Sequence, residues 1–301
     1  MMDLSIIIVN WNTRDLLVRC LRSVYGTKGG PEFEVFVVDN ASTDDSTTVV
    51  RDHFPRVHLI ANRENIGFAR ANNQAICCSK GRYVLLLNSD TEVHPAALEA
   101  MVHFMNEHPR AGGCGPRLLN ADGSLQASCH PMLTPEREFW RLIFLDRIWH
   151  RATYVQQQWD LSEPRRVEVI KGACLLLRRA ALEQVGGLDE DYFMYTEEMD
   201  LCYRLLEAGW QLWWVPRAVV KHYGEASSRQ VAEAMYVQLY RSKVQFYRKF
   251  EGDHRADDFK RLLRVAYFPR LAVATLGGLF LPSLLPRART YRRLLTELPG
   301  M

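Results

Sequence analysis

Tyr83-Val84-Leu85-Leu86-Leu87 is an unbroken apolar run without polar alternation. Such a run describes a strand buried on both faces, as in a parallel sheet. It stops abruptly at an amide, a hydroxyl and a carboxylate, Asn88-Ser89-Asp90. Open α/β sheets bind ligands just beyond the carboxyl ends of their strands, so the tripeptide is aimed at a site. A lone carboxylate there suits a hard divalent ion that also takes phosphate oxygens. A polar turn that merely closes the strand would have the same composition. The neighbouring segments decide between the two.

Leu4-Ser5-Ile6-Ile7-Ile8-Val9 is a second buried-strand run, ending in Asn10-Trp11-Asn12. Thr13 then stands at an N-cap position, and Leu16, Leu17, Cys20, Leu21 and Val24 recur at helical spacing. Glu34-Val35-Phe36-Val37-Val38 leads into Asp39-Asn40-Ala41-Ser42-Thr43-Asp44, and Val57-His58-Leu59-Ile60 leads towards Asn62. A helix opens near Gly67, before the Leu85 strand. Strands and helices alternating at roughly 25-residue intervals predict a parallel sheet with crossover helices. Asn or Asp clusters recur at the strand ends, which points to one shared site.

Taken in order, Val9-Asn10-Trp11-Asn12, Val38 to Asp44, Asn65-Ile66-Gly67-Phe68-Ala69 and Leu87-Asn88-Ser89-Asp90 resemble the motifs of family 2 glycosyltransferases of the GT-A fold. Gly186-Gly187-Leu188-Asp189-Glu190, leading into Phe193-Met194-Tyr195-Thr196-Glu197-Glu198-Met199-Asp200, is similar to that family's rhamnosyltransferase-like branch. The similarity covers about residues 4 to 225. It implies an α/β GT-A fold, a mostly parallel Rossmann-like sheet flanked by helices. A catalytic domain is expected over 1–225 and a basic, mostly helical extension over 226–301.

Glycosyl transfer from a nucleoside-diphosphate sugar must neutralise the leaving diphosphate, recognise the nucleoside and deprotonate the acceptor hydroxyl. Asp90 is the expected ligand for Mn²⁺ or Mg²⁺. Asn88 stands where many relatives carry Asp, which leaves Asp90 most of the charge. The resemblance gives His222, after the apolar strand Ala218-Val219-Val220, a place on the metal or the diphosphate; a packed histidine is the alternative. Asp39 is implied on the base or ribose, since a carboxylate accepts paired donors, whereas Asp44 is expected to cap the next helix. Val9, Asn10, Asn12, Asn40, Ser42, Asn88 and Ser89 are implied around the nucleotide. Asn65 and Gly67 open a helix whose free N–H groups could face phosphate or base.

Glu197-Glu198-Met199-Asp200 opens an amphipathic helix, with Leu201, Leu205 and Leu206 inward and Arg204 outward. Acids in a first turn also suit the helix dipole without any catalytic role. Relatives carry Glu-Asp here, with the second acid as general base. That position is Glu198 in this chain, one methylene longer, so Glu197 and Asp200 stay alternatives. Gly172 and Ala173 are expected to admit the sugar closely, and Lys171 is either a phosphate contact or solvated surface.

Seven cysteines with no spaced metal pair read as reduced core residues of a cytosolic protein. Met1-Met2-Asp3 has no basic n-region, so no signal peptide is expected. A net charge of +3 argues against dedicated nucleic-acid binding, but its distribution is uneven. Residues 241–301 carry 13 Lys or Arg against 5 Asp or Glu, which is +8 and leaves −5 for the rest. Leu271 to Leu285 is uncharged but, at 15 residues, too short to span a bilayer. This tail suits either an anionic membrane surface or packing, on the catalytic domain or in a homodimer.

The expectation is therefore an inverting, metal-dependent glycosyltransferase, cytoplasmic or peripheral to the inner membrane face. Its donor would be dTDP- or UDP-linked, with rhamnose as the branch's sugar, and its acceptor a cell-surface or lipid-linked glycan. A nucleotidyltransferase would carry a Gly-rich basic loop after the first strand, and a dehydrogenase a G-x-G-x-x-G; neither is present. An inactive nucleotide-sugar-binding scaffold is the non-enzyme alternative.

Overall fold

A computed structural model describes residues 2–27, 29–143, 153–224 and 228–301. The chain forms two compact units. The first comprises Met1–Met132, Tyr154–Phe193 and Glu197–Ser227; the second comprises Leu133–Thr153, Met194–Thr196 and Ser228–Met301.

In the first unit β1 (Leu4–Asn10), α1 (Arg14–Tyr25), β2 (Phe33–Asp39), α2 (Ser46–His53), β3 (Val57–Ala61), α3 (Phe68–Cys78) and β4 (Tyr83–Asn88) alternate as the apolar runs predict. There follow β5 (Thr91–Val93), α4 (Ala97–Glu107), β6 (Ala111–Leu119), β7 (Leu125–Gln126) and β8 (Cys129–His130). Beyond the segment given to the second unit come β9 (Arg165–Val167), β10 (Val169–Ile170), β11 (Cys174–Arg178), α6 (Arg179–Val185), α7 (Glu197–Glu207) and β12 (Gln211–His222). The main sheet runs β3-β2-β1-β4-β11-β6-β12-β5. Strands β1 to β4 pair in parallel, and β11 enters antiparallel between β4 and β6.

Strand alternation explains why these runs are apolar throughout. Ile6, Ile8, Leu85 and Leu87 pack on one side with Leu17 and Leu21 of α1 and Met101 of α4. Ile7, Val84 and Leu86 pack on the other with Ala69 and Ala75 of α3 and Leu201 and Leu205 of α7. Both faces are covered by helices, so the strands are apolar except where a polar group is bonded, as Ser5 is to Glu34 and the Gly81 N–H. Five cysteines are buried, whereas Cys77 and Cys78 at the end of α3 are exposed, against the expectation that all sit in the core. Burial pushes the thiols of Cys20, Cys129 and Cys202 up to about 12, which leaves them inert as nucleophiles at neutral pH.

The second unit holds α5 (Pro135–Leu142), α8 (Ala232–Glu251), α9 (Asp253–Gly277) and α10 (Leu285–Glu297). Its interior contains a buried ion pair, Lys243 Nζ to Glu138 Oε2 at 2.5 Å, with Arg141 3.1 Å from the other carboxylate oxygen. The Tyr240 and Tyr267 hydroxyls meet at 2.6 Å beside it, and Tyr236 joins them.

Candidate active site

Register brings the polar strand ends level. Val9 opposes both Val38 and Asn88, and Asn10 opposes Asp39. Cys174 opposes Leu87, and the Asn88 N–H donates to Ala173 O at 3.0 Å, so the 171–173 loop reaches the same edge. Backbone at this edge is unusual: Asn12 and Ala41, just past β1 and β2, have φ of 52° and 62°.

The residues expected around a nucleotide form one network. Asn10 Nδ2 donates to Asp39 Oδ1 at 2.9 Å and to Ser42 Oγ at 3.1 Å. The backbone N–H of Ser42 donates to Asp39 Oδ2 at 2.9 Å, and that of Asn12 to Ser42 Oγ at 2.9 Å. Asp39 is 2% exposed and Asn10 0%, so a carboxylate is held in place by neutral donors. Each of its oxygens keeps a second lone pair for a ligand donor. Asn40 donates to Gly67 O at 3.1 Å and accepts from Asn62 at 2.9 Å, which ties the end of β2 to the entry of α3.

Two local expectations are corrected and a third is extended. Thr13 stands at the N-cap of α1 but does not cap it. Its hydroxyl bonds Asn10 Oδ1 at 2.7 Å and Ser89 Oγ at 2.8 Å, joining β1 to the β4 tripeptide. Asp44 does cap, and it serves two helices: it accepts from the Arg14 N–H of α1 at 2.8 Å and from Ser46 of α2. The first N–H of α3, on Phe68, goes to Phe193 O at 2.8 Å rather than to a ligand. Gly67 itself has φ +87°, and a Cβ there would lie 2.5 Å from Phe193 O. Close packing accounts for this glycine.

Asp90 and His222 come together, with His222 Nε2 3.2 Å from Asp90 Oδ1 and 3.5 Å from Asn88 Nδ2. Both residues are buried, at 6% and 4% exposure. His222 Nδ1 lies 2.7 Å from Gln126 Oε1. The orientation of that amide is fixed, because its Nε2 donates to Asn120 Oδ1 at 2.8 Å and to His222 O at 3.2 Å. Nδ1 is therefore the donor, and in the neutral ring the Nε2 lone pair faces the Asp90 carboxylate. Two lone-pair donors face one another only with a proton or a cation between them, and an outer partner fixing the imidazole tautomer is usual for a metal-ligating histidine. The donor set thus fits a divalent ion that completes its shell with diphosphate oxygens and water. Among the described residues no group of three or more His, Cys, Asp or Glu side chains gathers for a metal. Gln126 belongs to no motif, and nothing in the sequence links it to a histidine 96 positions away.

The three acids of α7 separate. Asp200, fully buried, pairs with Arg204 Nε at 2.6 Å, and Arg204 also donates to Val185 O and Gly187 O at 2.6 and 2.9 Å. Arg204 is therefore turned inward, against expectation, and with Asp200 it fastens the Gly186-Gly187 turn. Glu197 and Glu198 each bury an Oε2 atom that has no hydrogen-bond partner among the described residues. Burial pushes the Glu198 carboxyl up, while the Lys171 charge and the N–H groups of Gly172 and Met199 draw it back. Burial lifts Glu197 well above the usual carboxylate range, and repulsion from Glu198 lifts it further. A Cβ on Gly172 would sit 3.6 Å from Glu198 Cβ, so the 171–173 loop lies against this acid.

The chain is similar to known glycosyltransferases. Residues 5–186 match the family described as Glycosyl transferase family 2. The chain is 33% identical over 235 residues to the N-acetylglucosaminyl-diphospho-decaprenol L-rhamnosyltransferase of Mycobacterium tuberculosis, covering 73% of this chain and 76% of that one. It is 29% identical over 206 residues to a low-salt glycan biosynthesis hexosyltransferase of Haloferax volcanii, covering 67% and 61%. Among solved structures, a mannosyltransferase from Pyrobaculum calidifontis in complex with GDP-Man and Mn²⁺ superposes with a TM-score of 0.58 at 20% identity, covering 98% of this chain and 84% of that one. The fold is the GT-A fold, with a mostly parallel central sheet and a C-terminal helical region.

Proposed function

This chain belongs to glycosyl transferase family 2, and from that premise we propose that it moves rhamnose, with inversion, from a dTDP-linked donor to a hydroxyl of a lipid-linked glycan. The chain is a glycosyltransferase, similar to a rhamnosyltransferase. The finer reading leans on the printed activity of that relative and on one observation above others. Glu198 is half-buried, with its Oε2 atom buried and unpartnered among the described residues and its carboxyl raised by burial, beside the Lys171-Gly172 loop. A carboxyl raised above its ordinary range is a stronger base towards a hydroxyl proton.

In this reading the acceptor hydroxyl approaches Glu198 Oε2, gives up its proton there and attacks the anomeric carbon from the face opposite the diphosphate. Glu197, whose carboxyl is lifted by burial and by repulsion from Glu198, lies next to it in the first turn of α7. Asp39, fixed by Asn10 and Ser42, accepts donors from the nucleoside. Asp90 and His222, with Asn88 beside them, would hold Mn²⁺ or Mg²⁺, which when bound neutralises the leaving diphosphate as a Lewis acid. Gln126 keeps the Nε2 lone pair of His222 available for that purpose.

The test incubates the full chain with dTDP-rhamnose and, separately, UDP- and GDP-sugars, each with an N-acetylglucosaminyl-diphospho-polyprenol acceptor, and reads the products by mass spectrometry. A deoxyhexose added from the dTDP donor supports the proposal. Addition of another sugar, or donor hydrolysis alone, overturns the assignment of donor and acceptor.

A further inference from the structure

The second unit leaves one apolar surface uncovered. Helix α9 carries two apolar stripes. Ala256, Phe259, Leu263, Tyr267 and Ala274 are buried, whereas Val265, Phe268, Val273 and Leu276 are 62–73% exposed. At about 100° per residue the stripes face roughly opposite ways. From Val265 to Gly277 the helix carries a single charge, Arg270, and an exposed apolar patch of this kind normally marks a contact surface. The stripe continues past the helix end into Leu279, Phe280 and Leu281, exposed at 77%, 85% and 59%. Backbone groups in this turn are already bonded: the N–H of Leu279 to Leu276 O, and those of Phe280 and Leu281 to Gly277 O, at 3.2, 3.1 and 2.8 Å. The tip can therefore leave water without orphaning these donors.

Charge identifies what covers it. Residues 262–296 contain six arginines and no Lys, Asp or Glu. Arg264, Arg287, Arg289 and Arg292 are exposed, and none makes an ion pair among the described residues. A second copy meeting the same face by two-fold symmetry would bring arginines onto arginines, with no acid in the segment to receive them. A bilayer leaflet carrying anionic headgroups answers both features at once, with acyl chains for the apolar tip and phosphates for the arginines. No described helix is long and apolar enough to cross a membrane, so the contact is interfacial. We propose that the 265–285 surface seats on an anionic lipid leaflet, with Phe280 and its neighbours inserted at the acyl boundary.

The experiment is flotation of the full chain with phosphatidylglycerol-containing vesicles and with phosphatidylcholine-only vesicles. Binding is expected to the anionic vesicles only, and to weaken as salt rises. The double substitution Leu279→Glu/Phe280→Glu alters exposed residues and should lower partitioning by about tenfold or more. Arg287→Gln/Arg289→Gln should lower binding to anionic vesicles while the melting temperature stays unchanged. Failure of the native chain to float, equal flotation of the Glu variant, or a solution dimer that the Glu variant splits in the absence of lipid binding would each overturn the proposal.

Discussion

Replacing Glu198 with Gln keeps shape and removes charge and basicity, and the structure predicts opposite effects on activity and stability. Loss of the base should lower kcat by about 10²–10⁴-fold with donor affinity little changed. Stability should rise. Because burial lifts the folded-state pKa above the ordinary carboxylate value, the protonated acid is favoured in the folded protein. Its contribution to stability is complete below that ordinary value and is lost as pH rises through the folded-state value. The penalty at pH 8 is about 1.4 kcal/mol for each pH unit of elevation, or about 3–6 °C in Tm for a domain of this size. The Gln variant escapes that penalty, and removing the Glu198 charge also relieves the repulsion felt by Glu197. Melting curves of both proteins at pH 5 and pH 8, with single-turnover kinetics at the same pH values, read both effects. Glu198→Gln should melt above the native chain by more at pH 8 than at pH 5. A variant of normal activity, or one less stable at pH 8, would refute the reasoning.

Asp90→Ala should abolish the Mn²⁺-dependent part of dTDP binding in calorimetry while leaving the melting temperature close to native. Gln126→Leu should weaken Mn²⁺ binding by about 10–100-fold, the usual cost of losing an outer partner of a ligating histidine, as measured by titration of the paramagnetic ion. Asp200→Ala leaves Arg204 without its buried partner and should cost about 3–5 kcal/mol in urea unfolding. A rise in KM without that loss of stability would instead make Asp200 a substrate contact.

The strands were legible because their burial favours one composition: Ile6 to Val9 and Tyr83 to Leu87 are apolar throughout because the sheet is covered on both sides. Their polar ends were legible for the same reason, and register brings those of β1, β2 and β4 level at one sheet edge. Contacts that depend on the fold were not. Arg204 reads as the solvent face of an amphipathic helix, yet it turns inward because four backbone and side-chain acceptors converge on it from the 185–187 turn and Asp200. Gln126 lies on a two-residue strand that has no periodicity to detect. Asp44 was expected to cap one helix; its second duty, to Arg14 across 30 residues, follows only from the parallel pairing of β1 with β2.

The account rests most heavily on direct displacement assisted by Glu198, and the anomeric configuration of the product reads this directly. NMR of the isolated glycoside, from the full chain and its accepted donor, should show configuration opposite to that of the donor. Retained configuration would contradict the displacement mechanism and the assignment of Glu198 as its base.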